Sequence, residues 1–226
     1  MRKFLPLVLL LAAGCAAPPQ VPPAAPPPPA RAMEPLPFEA WDVVASRLEA
    51  RVYRDGPMLQ LGHNHVITSD ALGGVIELRD PRAQSGFTLE LPLASLVVDD
   101  PAARAAAGAE FASPVPEKDR AGTVRNMLGP AVLDAVRQAA VRLTADGISG
   151  GPDDYVARVR VSLRGEERVI DVPLTVSFEG DRLRIHASIR LRHADLGLVP
   201  FSVALGALRV RDDIEIDCRL EARRAT

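Results

Sequence analysis

The sequence predicts an all-β chain of about eight antiparallel strands, closed on itself as a barrel or stacked as a sandwich. Three observations carry this. From residue 43 onward, apolar and polar residues alternate with period two through run after run. Turn pairs such as Gly165-Glu166 and Gly180-Asp181 join successive runs. Each run has a single apolar face, and closure or stacking buries those faces and removes exposed sheet edges.

The first 40 residues do not belong to that pattern. Residues 1–15, MRKFLPLVLLLAAGC, join a positive start to an apolar run of about ten residues, too short to span a bilayer and fitted to an export signal. Ala12-Ala13-Gly14-Cys15 resembles the lipobox of bacterial lipoproteins, with Leu11 one place early and Ala12 where Leu is usual. That resemblance implies lipidation of Cys15. The alternative is a soluble exported protein cleaved near the same Ala-Gly stretch. Ala16 stands where Asp would signal inner-membrane retention, so the expected location is the periplasmic side, anchored to the outer membrane. Residues 16–40 form a Pro/Ala-rich tether, whose proline density excludes helix and ladder and favours polyproline II. Such a tether would hold a domain, expected over 41–226, up to about 60 Å from its anchor. The only other cysteine is Cys218, so the exported domain is stabilised by its core and not by a disulfide.

The strands follow in order. Over 46–53 Leu48, Ala50 and Val52 share a face; over 74–80 Ile76 and Leu78 do. Phe87, Leu89, Leu91 and Leu93 form the next apolar phase, and Ala157, Val159, Val161 and Leu163 another. Residues 169–178 carry Ile170, Val172, Leu174, Val176 and Phe178 on one side. Residues 183–193 carry Leu183, Ile185, Ala187, Ile189 and Leu191. The last strand sets Ile214, Ile216, Cys218 and Leu220 against acids and arginines, and places Cys218 inward and unreactive. Two segments interrupt the rhythm: Ala-rich 99–111 reads as helical, and 129–143 reads as a helix with Pro130 at its start and Leu133, Val136, Ala140 and Val141 as its stripe.

This layout resembles the YceI-like family of lipid- and polyisoprenoid-binding domains, from about Ser46 to Leu220. The residues that carry the resemblance are Gly74-Val75-Ile76, the polar turn over 95–100, the stretch 125–148, and the closing segment 191–220. Leu196 after Asp195, where an aromatic is common, and the long 99–126 loop depart from the pattern. The resemblance implies an eight-stranded antiparallel lipocalin-like barrel with one helical excursion between its middle strands. It implies a non-enzymatic binding or carrier role, with a long-chain isoprenoid, quinone or related amphiphilic lipid held inside. Sequence alone leaves a solid, ligand-free barrel equally open; the resemblance favours a ligand. The lining it implies includes Ile76, Leu89, Val159, Leu174, Ile189 and Phe201.

Three of the four histidines fall in the apolar phase. Reading 57–67 as a strand and counting by two from Leu59 gives Leu61, His63, His65 and Ile67; counting from Leu183 reaches His193, whereas His186 falls on the exposed side. Such residues are structural wall, polar contacts for a head group at a cavity mouth, or a metal site formed by His63, His65 and His193. The nearest acids in sequence are Asp70 and Asp195, and no nucleophile elbow, metalloprotease helix, CxxC or phosphate loop accompanies them. A net charge of −2 with scattered Lys and Arg gives no nucleic-acid footprint. Three classes stay open: lipid carrier, exported metal-binding or stress-related protein, and ligand-free envelope scaffold. The expected partners are the lipid and the membrane that receives the acyl anchor.

Overall fold

A computed structural model describes residues 38–151 and 154–225. The signal peptide, Cys15 and most of the tether lie outside the described residues. The first strand begins at Phe38, inside the span assigned to the tether.

Eight strands close into an antiparallel barrel: β1 (Phe38–Asp55), β3 (Gly73–Arg79), β4 (Gly86–Pro92), β6 (Ala140–Ala145), β8 (Tyr155–Leu163), β9 (Glu166–Glu179), β10 (Arg182–Arg192) and β12 (Leu208–Arg224). They pair in that order, and β12 closes the ring on β1. Four further strands are short: β2 (His65–Ser69), β5 (Val97–Val98), β7 (Ile148–Gly150) and β11 (Ser202–Val203). Ser69 opposes Leu48 and Val75 opposes Asp42, which is one register. So β2 and β3 are two halves of a single wall strand, interrupted between Ser69 and Gly73. Gly74, at φ +140°, brings that wall so close to β4 that a Cβ would lie 2.2 Å from the Thr88 carbonyl oxygen.

The alternation places the side chains. Leu48 faces Cys218, Ala50 faces Ile216, Ile189 faces Ile216, and Ala187 faces both Leu174 and Cys218, all toward the interior. The intervening Arg, Glu and Asp residues point outward and pair across strands, as Arg142 does with Glu90 at 2.6 Å. Turns 80–85 and 180–181 mark the lower end of the barrel. There Trp41, Leu78, Leu183 and Ala222 pack into a buried plug. The upper end carries loop 56–64, the excursion 93–139 and loop 193–207.

Two expectations fail, both near the upper end. The predicted helix over 129–143 is absent: the chain turns through 130–138 and then enters β6, which is inserted between β4 and β8. Two neighbouring ladders outweigh the helical preference of an Ala-rich stretch, and Val141 and Leu143 turn inward as strand residues. Val136, expected on the buried stripe, is fully exposed. The helix lies earlier, as α2 (Glu117–Leu128); it has no buried residue, so no apolar stripe announces it. The second failure is the strand over 57–67, because Leu59–Leu61 form a 3-10 turn and β2 begins only at His65. Residues 99–111 are helical in part: α1 (Pro101–Ala106), capped by the Asp100 carboxylate on the Ala102 and Ala103 amides, then a break at Gly108.

Candidate functional site

The inward faces do not meet at the barrel axis. They enclose a cavity of about 730 Å³, within the range of pockets that take up most of a small-molecule ligand. Its wall on the barrel strands is Leu, Ile, Val, Ala and Phe, apart from the Cys218 sulfur and, at the upper strand ends, Arg54 and Arg209. Burial among them pushes the Cys218 thiol up to about 11. Ile76, Leu89, Val159, Leu174 and Ile189 all lie along this wall.

Polar groups gather at the upper end only. His63, His65, His193 and Phe201 stand there, with Arg54, Lys118, Asp119, Thr123, Arg125 and Arg209. α2 crosses this mouth, presenting Gly122, Thr123, Asn126 and Met127 to the cavity. The result is an oily tube with a polar rim at one end.

A buried ion pair fixes the rim. Asp99, 2% exposed, accepts hydrogen bonds from Arg104 Nη1 at 2.6 Å, from His65 Nδ1 at 2.6 Å and from the Val66 amide at 3.0 Å. Three more Arg104 Nη hydrogens go to the carbonyls of Asn64, Phe111 and Ser113 at 2.6–2.8 Å. Burial alone would raise the Asp99 carboxyl, but the hydrogen bonds and charges of His65, with the Val66 amide and Arg104, outweigh it and hold it below the usual range. His65 Nε2 lies 3.3 Å from Thr123 Oγ1, so the chain Arg104–Asp99–His65–Thr123 links α1 and β2 to α2.

Neither acid nearest the histidines in sequence plays this part. Asp70 pairs with Arg47 and Asp195 with Arg192, both near the surface. Asp99 opens the Ala-rich stretch 99–111 that reads as helical, and its use as a histidine partner has no local signal. His193 donates Nδ1–H to the Asp212 carbonyl at 2.6 Å and faces the mouth, while His186 pairs with Asp217 on the outside of the barrel. His63 and His65 have ring centroids 6.2 Å apart. With both nitrogens of His65 and one of His193 engaged, the three histidines do not converge. Among the described residues no group of three His, Cys, Asp or Glu side chains stands ready to hold a metal.

No protein-family model and no curated protein matches this chain in sequence. Solved structures do match it in shape. BcnA from Burkholderia cenocepacia superposes with a TM-score of 0.56 at 13% identity, over 80% of this chain and 96% of that one. The YceI protein of Campylobacter jejuni superposes with a TM-score of 0.51 at 9% identity, over 71% of this chain and 85% of that one. The chain carries the closed eight-stranded barrel fold of the YceI protein, the family its strand pattern resembles.

Proposed function

We propose that this protein is a non-enzymatic carrier of the bacterial cell envelope. It encloses the tail of a long-chain isoprenoid, quinone or related amphiphilic lipid, and it is held on the periplasmic face of the outer membrane by acylation of Cys15. The observation that carries this reading is the cavity: apolar along its length and polar only at its upper mouth. The tube is open at a polar mouth, so without a ligand its apolar wall faces water, and each Å² of that wall covered by a tail is worth roughly 25 cal/mol. The space therefore favours an apolar occupant. A tail is such an occupant, and the histidine-bearing rim supplies the few polar groups that orient a head.

The test is organic extraction of protein purified from its native membrane, followed by mass spectrometry. About one equivalent of an amphiphile is expected from the native chain and little from Ala50→Phe/Ala187→Phe, whose rings would occupy the tube. Native protein that releases no lipid would refute the proposal.

A further inference from the structure

Two uncharged segments frame the mouth. Loop 56–62 reads GPMLQLG and residues 196–208 read LGLVPFSVALGAL, with no ionisable side chain in either, in a chain whose residues are 25% charged. They touch each other: the Met58 amide donates to the Ala207 carbonyl at 2.8 Å. Leu198 is buried and Phe201 lines the mouth, but six of their apolar side chains are exposed to solvent. Leu61, Val199 and Leu205 are 62%, 74% and 109% exposed, and Met58, Leu59 and Val203 are also exposed. Ala204 and Leu205 both take left-handed backbone angles (φ 51° and 57°), which turn the Leu205 side chain into solvent. Behind this apolar crown the charged residues lining the mouth are Arg54, Lys118, Arg125 and Arg209 against one carboxylate, Asp119. Arg209 is paired with Asp55.

We propose that this upper rim docks on a lipid bilayer carrying anionic head groups, so that a tail passes between membrane and cavity without crossing water. The proposal rests on the carrier reading. Projecting uncharged tips with a cationic border match the interface of an anionic membrane, where apolar side chains enter the acyl boundary and Lys and Arg meet the head groups. The crown also borders the opening of the tube beside β1 and β12, which brings the oily wall next to the docked membrane. A lid serving only to close the barrel would turn Leu205 inward.

The test uses the full chain reconstituted with vesicles of phosphatidylcholine, with or without phosphatidylglycerol, containing a lipid-borne fluorescence quencher. A fluorophore is placed on Leu205→Cys, or on Asp181→Cys at the lower end, in a Cys218→Ala background whose own labelling is the blank. The Leu205 label should be quenched several-fold more than the Asp181 label. Lys118→Glu/Arg125→Glu should reduce that quenching in vesicles containing phosphatidylglycerol. Equal quenching at both ends, or none at Leu205, would overturn the proposal. So would a doubled mass in solution that shields the Leu205 label, because a second copy would then cover the crown. Lipid recovered by extraction with an unquenched Leu205 label sinks docking alone; quenching with no extractable lipid sinks the carrier reading alone.

Discussion

Replacing Asp99 by Ala removes the centre of the buried ion pair. Arg104, itself 8% exposed, would keep its carbonyl contacts but lose its only carboxylate, and the Val66 amide would lose its acceptor. Breaking one half of such a buried pair costs about 3–5 kcal/mol. For a domain of this size roughly 1 kcal/mol moves the melting temperature by about 2–4 °C, so a loss of about 4 kcal/mol corresponds to a fall of about 8–16 °C. Thermal unfolding followed by circular dichroism measures it. Arg104→Ala should be costly as well, and the double variant should cost less than the two single losses combined, because each leaves the same partner stranded. The pH dependence follows from the depressed carboxyl. In the folded chain Asp99 gives up its proton at lower pH than in the unfolded chain, so its contribution is present above the ordinary carboxylate range. It is lost as pH falls through the folded value, and Asp99→Asn should lack this acid-side loss. A fall under about 3 °C for Asp99→Ala, or strict additivity with Arg104→Ala, would refute the assignment of a buried pair.

Two further outcomes test the register and the cavity wall. With the Cys218 thiol pushed up to about 11, only about one thiol in a thousand is ionised at pH 8, so alkylation by iodoacetamide should be about a hundredfold slower than for an unfolded cysteine, and slower again when lipid is bound. Labelling at the rate of a free thiol would place Cys218 outside the tube. Gly74→Ala should lower stability to urea by at least about 2 kcal/mol, because its Cβ would collide with the Thr88 carbonyl in a left-handed segment; an unchanged unfolding midpoint would contradict the β3–β4 pairing.

The long strands were readable because one face meets an apolar lumen and the other meets water. Leu183 to Leu191 and Ile214 to Leu220 alternate without a break, and the structure keeps every one of those phases. The upper end was not readable for the opposite reason. α2 lies across a mouth, half against cavity and half against solvent, so EKDRAGTVRNML shows no stripe. Residues 135–141 have Ala and Val spaced as a helix would have them, and only the neighbouring ladders of β4 and β8 decide for strand. His63 and His65 both line the mouth, but the count by two that grouped them assumed a strand from 57, and only His65 lies in one. The partner of His65 did not follow: Asp99 is 34 residues away, and its approach depends on β5 pairing with β2.

The central claim is that the barrel interior takes up an alkyl or prenyl tail. The most direct measurement is calorimetric titration of delipidated protein with a homologous series of amphiphiles sharing one head group. Burial of each additional methylene is worth about 0.8 kcal/mol, so affinity should rise roughly fourfold per carbon until the tail fills the tube, then level off. Affinity independent of tail length would contradict the account.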